Sequence, residues 1–204
     1  MTVDANGKTG RRPGPGSSRQ TILDAARDQF MQHGYKGATM RAIAGQAGAD
    51  PNLIRHFFGD KDGLFAAAME LPPQAAATVL AVFDGPIETW GAGLTRAYLS
   101  IWEDPLTAAP VRATLVSAFT NDQALERLRE FLISVALEPA SRRLTTSNPA
   151  LRLTVSMSHL MGVALTRYIL QAPPMRAPSV DELVALVGPT IQNYLTGPLP
   201  APGE

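Results

Sequence analysis

The chain has 204 residues, 45% of them hydrophobic, with 18 Lys and Arg balanced by 18 Asp and Glu and no cysteine. That length suits one long domain or two modest ones with a real core, and the absence of cysteine excludes a disulfide scaffold, thiolate metal sites and a cysteine nucleophile. No apolar run near the start could form a signal-peptide core, and the most apolar long stretch, 151–170, is interrupted by Arg152, His159 and Arg167; a cytoplasmic protein with no membrane span is expected.

The zero net charge conceals an asymmetry. Residues 1–64 hold nine basic side chains against six Asp, and the remainder holds nine Arg against twelve acids, so the two parts carry +3 and −3. Two readings fit: a nucleic-acid-facing first third on a body that avoids DNA, or a chance distribution.

Residues 1–18, rich in Gly, Pro and Ser, cannot bury enough surface to fold alone and are expected to form a disordered arm whose charge cluster is Arg11-Arg12. From Arg19 the pattern turns helical, with Ile22, Ala26 and Phe30 at four-residue intervals, and it ends at Gly34, giving a first helix over about 19–33. Thr39 offers an N-cap hydroxyl to a short second helix whose apolar side is Ile43, Ala44 and Ala47 and whose end is Gly48. Asp50 caps a third helix and Pro51 fits its first turn; this helix buries Ile54 and either Phe57 or Phe58. Gly59-Asp60 stops it and starts a fourth, with Leu64, Phe65 and Ala68 apolar, before Pro72-Pro73.

Downstream, apolar residues recur every three or four positions, which predicts helices over 74–83, 87–103, 110–120, 122–144, 149–171 and 180–196. The expectation is an all-α protein of about nine helices. It divides into the arm 1–18, a first helical domain 19–65, a larger helical domain 66–197, and a flexible tail 198–204.

The second and third helices have the features of a helix-turn-helix. Close crossing needs a small residue, here Ala44, and the tight turn needs a residue tolerant of positive φ, here Gly48. Polar side chains left outside on the third helix are then candidate readers of a DNA major groove. Asn52 suits adenine, Arg55 suits guanine or phosphate, His56 suits either, and Pro51 and Leu53 can touch thymine methyls. Thr39, Arg41 and Lys61 sit at helix N-termini, where phosphate contacts are favoured. A plain helical hairpin with solvated polar faces is the competing reading.

Residues 21–65, "TILDAARDQFMQHGYKGATMRAIAGQAGADPNLIRHFFGDKDGLF", resemble the N-terminal DNA-binding domain of the tetracycline-repressor (TetR) family of transcriptional regulators. The matching pieces are Ile22, Ala25-Ala26, Phe30 and Gly34, then Thr39, Ile43-Ala44 and Ala47-Gly48, then Phe58, Lys61 and Leu64, in an ungapped run of about 45 of the 204 residues. Arg55 stands where the family usually has a phosphate-contacting tyrosine, and Asp50 where it usually has a small capping hydroxyl, so an operator sequence does not carry over. Arg11 and Arg12 fit either a minor-groove arm or a solvated tail.

The resemblance implies a homodimer that binds a palindromic double-stranded operator, usually as a repressor released by a small effector, with the half-site spacing left open. Helices 149–171 and 180–196 carry more apolar positions than one buried stripe needs. Leu160, Ala164, Arg167, Tyr168, Leu183, Val184, Val187, Ile191 and Tyr194 are therefore candidates for a four-helix interface across a two-fold axis, or else for ordinary core. Gly162 would allow close approach and Gly188-Pro189 should kink the last helix.

Trp90, Leu94, Tyr98 and Trp102 on one helix, with Phe119, Met157 and Met161 opposite, are candidates to line an apolar effector pocket, although their spacing equally suits core. His159 and Arg167 fit an effector hook or an interface hydrogen bond. No phosphate-binding glycine loop, His-Glu metal motif or nucleophile with its base is present, and "DKDG" at 60–63 lacks the later ligands of a calcium loop. Neither an enzyme, a cofactor nor a metal is expected. A helical adaptor with a non-functional helix-turn-helix is the alternative, distinguished by DNA affinity alone.

Overall fold

The computed structural model describes residues 15–198, with side chains over 19–134 and 137–198. Arg11, Arg12 and the tail beyond Pro198 lie outside the described residues. Every regular element among the described residues is helical, and the chain divides into two units, the first ending at Ala68 and the second starting at Met69.

The first unit comprises α1 (Pro15–Gly37), α2 (Met40–Ala47), α3 (Pro51–Phe58) and α4 (Lys61–Ala68). Helix α1 starts at Pro15, inside the expected arm. It does not stop at Gly34: that residue (φ 66, ψ 173) breaks the helical path, and one more turn follows before the Ala38 N–H returns to the Gly34 carbonyl at 3.1 Å. Only glycine takes such a φ without strain. The core is Ile22, Ala26 and Phe30 from α1, Ile43 and Ala44 from α2, Ile54 from α3, and Leu64, Phe65 and Ala68 from α4, all buried. Phe65 meets Phe30 and Tyr35 edge-on, with ring centroids 4.8 and 5.1 Å apart. This packing of α4 carries the first unit three residues beyond the expected end at 65, to Ala68. There Arg27 of α1, almost fully buried, donates from Nε to the Ala68 carbonyl at 2.9 Å and caps the end of α4.

The second unit contains α5 (Pro73–Val82), α6 (Trp90–Glu103), α7 (Pro105–Ala118), α8 (Asp122–Phe131), α9 (Glu138–Ser141), α10 (Pro149–Ala164), α11 (Pro173–Arg176) and α12 (Val180–Thr196). The 61–82 stretch is apolar enough to cross a membrane by composition (mean hydropathy 1.2). Its backbone nevertheless leaves the helix after Ala68 and re-enters at Pro73. Helix α6 crosses α12 closely: a Cβ on Gly91 would lie 2.4 Å from the Gly188 carbonyl, and one on Gly188 3.1 Å from Ala92 Cα. Gln192 fastens the crossing, accepting from Gly91 N–H at 2.8 Å and donating to the Ile87 carbonyl at 3.0 Å. Gly188 thus permits close approach within the chain, Gly162 is exposed with open space around it, and α12 continues unbroken through Pro189.

Three other boundaries differ from expectation. Helix α7 begins at Pro105, because Asp104 caps it through Leu106 N–H at 2.8 Å and leaves Pro110 inside the helix instead of at its start. The expected continuous helix 122–144 opens into a π turn at Leu132–Leu137, just before Pro139, whose missing N–H interrupts the ladder there. A second π turn, Leu165–Ile169, ends α10, and the short α11 follows it.

Candidate nucleic-acid interface and interior cavities

The break between α2 and α3 is built from local chemistry. The Thr39 hydroxyl accepts from Ala42 N–H at 3.1 Å to start α2, and Gly48 ends it in the left-handed conformation (φ 60, ψ 29). Asp50 then caps α3 by accepting from Asn52 N–H at 2.8 Å, with Pro51 in the first turn. Ile43, Ala44 and Ile54 are buried across this turn, and they fix the two helices against each other and against α1. Gln46 on α2 adds a polar clamp to α1, accepting from Gln29 and donating to Asp28.

On the opposite side of α3, Pro51, Asn52, Arg55 and His56 are all exposed. At 100° per residue they fall within an arc of about 140°, one continuous face. Neither the Asn52, Arg55 and His56 side chains nor that of Arg41, exposed on α2, has a hydrogen bond or ion pair within the described residues, so their polar atoms are available to an external partner. Thr39 is also exposed, although its hydroxyl is committed to the cap. Leu53 is half-buried, which leaves it less reach than its neighbours, and Phe57 and Phe58 share half-burial beside the fully buried Ile54.

Lys61 is held differently. Its Nζ lies 4.6 Å over the Tyr35 ring, and the Tyr35 hydroxyl bonds to Asp62, which with burial pushes the tyrosine up to about 12. Arg19, not singled out from the sequence, stacks over Phe58 at 5.2 Å and adds a cation beside the end of α3. Its distance from Phe58 along the chain leaves no local signal of the pairing.

The second unit holds two apolar cavities, the larger of them open to solvent past the exposed Phe119, Leu125 and Ile133. The smaller, of about 50 Å³, is lined by Leu94, Tyr98, Met157 and Met161 of the expected pocket, together with Val79, Phe83, Leu132, Leu153, Ser156 and Leu160. The larger, of about 490 Å³, is walled by α7, α8 and the first π turn, and includes Phe119, Leu125, Leu128, Arg129, Leu132, Ile133 and Met161. Trp90 and Trp102 line neither. Trp90 is core, edge-on to Phe83 at 5.0 Å and donating to the Gly85 carbonyl at 3.0 Å. Trp102 is buried and stacked on Tyr168 at 5.3 Å, within 5° of parallel. Leu132 went unnoticed in the sequence because only the π turn gives it that position.

The residues expected at a dimer interface are mostly consumed within one chain. Leu160, Ala164, Leu183, Val184, Val187 and Ile191 are buried in the second unit's own core, so they have no surface left to bury against a partner. Arg167 donates to the Met175 and Pro178 carbonyls at 2.6 and 2.8 Å and pairs with Glu103 at 3.2 Å; Tyr168 also donates to Glu103, at 2.9 Å. Tyr194 is half-buried against His159, with its hydroxyl 3.4 Å from Nδ1. The residues outside on α10 include Leu151, Val155, Ser158 and Gly162, beside Ala150 and Thr154, and those on α12 include Ala185, Leu186, Pro189 and Asn193, beside Asp181, Glu182 and Thr196, with Leu186 72% exposed. Each set of four follows helical spacing and forms a stripe along its helix.

Comparison with known proteins is consistent with both units. The model for "Bacterial regulatory proteins, tetR family" matches residues 22–68, and that for "Tetracyclin repressor-like, C-terminal domain" matches 88–195. The HTH-type transcriptional repressor AcnR of Corynebacterium glutamicum is 49% identical over 53 residues, 26% of this chain and 28% of that protein. The HTH-type transcriptional regulator BetI of Paraburkholderia phytofirmans is 27% identical over 114 residues, 46% of this chain and 57% of that protein. The chain therefore spans less than two thirds of the curated relatives' length. A solved TetR-family regulator from Streptomyces coelicolor is 29% identical, with a TM-score of 0.62, covering 92% of this chain and 99% of that one. Salmonella enterica GusR, at 18% identity and a TM-score of 0.63 over 91% of this chain and 99% of that one, shares the fold.

Proposed function

Because this chain belongs to the tetracycline-repressor family of DNA-binding transcriptional regulators, which are not enzymes, we propose that it is a repressor that grips a palindromic operator as a homodimer and is released by a small, mainly apolar effector. The observation that carries this reading is the exposed face of α3, where the side chains of Asn52, Arg55 and His56 have no hydrogen bond or ion pair among the described residues. Arg55 supplies a two-pronged donor for guanine or phosphate, Asn52 pairs with adenine, and Arg41 and Lys61 add phosphate contacts that fix register. Arg11 and Arg12 lie along the chain from α1, where a basic arm would reach the adjacent minor groove.

The dimer is formed by the outer stripes of α10 and α12, Leu151, Val155 and Gly162 with Leu186 and Pro189, not by the residues those helices bury internally. Two such helices from each chain build a four-helix contact across a two-fold axis, and the two copies of α3 read the two halves of the operator. The effector occupies the apolar cavities of the second unit. By preferring one arrangement of that unit it moves α4, the last element before the second unit along the chain, and lowers operator affinity; DNA must lower effector affinity by the same factor.

The test is fluorescence anisotropy with the DNA flanking the protein's own gene, titrated with salt beside a shuffled duplex. Tight, salt-dependent binding to the native fragment alone is expected. Equal weak binding to both, repeated across genomic fragments, would instead favour an adaptor that has lost DNA binding.

A further inference from the structure

The two cavities share two wall residues, Leu132 from the first π turn and Met161 from α10. A cavity of about 490 Å³ lies in the range that holds small organic ligands, whereas one of about 50 Å³ holds only the end of one. Methionine has three rotatable bonds and no branch, so a change of Met161 rotamer joins the two spaces without moving backbone. Joined across Leu132 and Met161, they reach from Val79 and Phe83 at one wall to Phe119 and Leu125 at the other, and such a space is a slot that suits an elongated molecule.

The walls offer almost no charge. Arg129 is the one cation among the lining residues; it sits on an exposed side chain and is already paired with Glu126. Ser156 spends its hydroxyl on the Arg152 carbonyl at 2.8 Å. A carboxylate or ammonium at the Tyr98 end, where the lining of the small cavity has no ionised side chain, would lose its water and find no counter-ion, which is costly.

One donor is left over on the wall of the slot, the Tyr98 hydroxyl of α6, with Trp102 one helical turn further on. Trp102 is 3% exposed and its Nε1–H has no hydrogen-bond partner among the described residues. Tyr98 lines the small cavity, and its hydroxyl donates no hydrogen bond to any of the described residues. Trp102 packs against Met161, Leu115 and Leu128, three residues that wall the large cavity. Burial pushes Tyr98 up to about 12, with the neighbouring indole opposing the shift, so the hydroxyl remains a neutral donor. A buried donor without an acceptor costs free energy that a ligand oxygen recovers.

We propose that the effector is a neutral, elongated, mostly hydrocarbon molecule bearing one acceptor oxygen, such as a ketone or ester carbonyl, which lies across both cavities with Met161 swung aside and accepts from the Tyr98 hydroxyl. This rests on the second unit being the effector site.

The test uses the full chain, with calorimetry and operator release as readouts, and three probes of equal length: undecan-2-one, undecanoate and undecylammonium. The ketone should bind at least ten-fold more tightly than either ion. Across methyl ketones from hexan-2-one to undecan-2-one, affinity should rise by up to roughly four-fold per methylene. Tyr98→Phe should weaken the ketone roughly five- to ten-fold and leave the chain-length trend intact. Met161→Trp should abolish the gain from longer chains; Leu132→Trp blocks the same wall from the other side if the first variant does not fold. Undecanoate binding as tightly as the ketone overturns the neutral class while leaving an effector site in place. A chain-length trend that survives both tryptophan variants overturns the joined slot. Saturable binding of none of the three probes overturns this proposal together with the effector reading beneath it.

Discussion

Arg152 offers the sharpest test of how the second unit is held together. It is 4% exposed on α10, and no carboxylate pairs with it among the described residues; its guanidinium instead donates to three carbonyls, those of Ser147 at 2.8 Å, Tyr194 at 2.8 Å and Gly197 at 2.9 Å. Tyr194 and Gly197 lie at the C-terminal end of α12, where unpaired carbonyls concentrate the negative end of the helix dipole, so the helix itself serves as the counter-ion. Arg152→Met keeps the apolar stem and removes all three bonds and the charge. Bonds to a charged donor contribute about 1.5–3 kcal/mol each, but the freed carbonyls of the exposed Ser147 and the half-buried Tyr194 and Gly197 regain some water, so a loss of about 3–5 kcal/mol is expected. For a chain of this size that lowers Tm by roughly 6–20 °C. Urea and thermal unfolding followed by circular dichroism measure it, and Arg152→Lys, which keeps the charge but not the fork, should recover a minor part. A Met variant within 1 kcal/mol of the parent would refute the idea that this guanidinium closes α12.

Four further outcomes are expected. Arg55→Ala should cost about 1–3 kcal/mol of operator affinity and relax preference at one base pair; a uniform loss on all sequences with a shallower salt slope would mean that Arg55 touches phosphate instead. Gly63→Ala places a Cβ 2.1 Å from the Phe58 carbonyl and should destabilise the first unit by about 2–4 kcal/mol, read as a lower melting temperature, and an unchanged melt would show that the α3–α4 corner yields. Leu186→Glu puts a charge on the outer stripe of α12 and should shift the protein to monomer in sedimentation equilibrium while leaving the fold intact; a persistent dimer would place the interface elsewhere. Tyr35, Tyr98 and Tyr168 are each raised from 10 to about 12, Tyr35 chiefly by its bond to Asp62 and the other two chiefly by burial. Their neutral forms are favoured in the folded state, so their contribution is complete below pH 10 and is lost as pH rises from about 10 to 12; urea midpoints that stay flat across that window would contradict it.

The helix-turn-helix was legible because its determinants are local. Thr39, Gly48, Asp50 and Pro51 each act on backbone within a few residues, and Ile43, Ala44 and Ile54 mark the buried side by spacing alone. The second unit was legible as helices but not as a surface. Its apolar residues exceed one stripe on α10 and α12, and sequence alone cannot assign the surplus to a partner or to the chain's own core. Leu183, Val187 and Ile191 were expected outside and lie within, whereas Leu151 and Leu186 lie outside. The cavity lining was half legible: Leu94, Tyr98, Met157 and Met161 follow helical spacing, but Leu132 depends on a π turn that periodicity does not report.

The order of residues by itself determined the helical class, the capped break between α2 and α3, and the family, since each follows from caps, glycines and apolar period read over short windows. Only the tertiary structure decided which face of each long helix is used up inside the chain. That choice turns on the close approach of α6 and α12, where Gly91 and Gly188 let the backbones meet and Gln192 bonds Gly91 across 101 positions of sequence. Such a contact has no local signature, because its free energy comes from surfaces that become neighbours only when the whole unit closes.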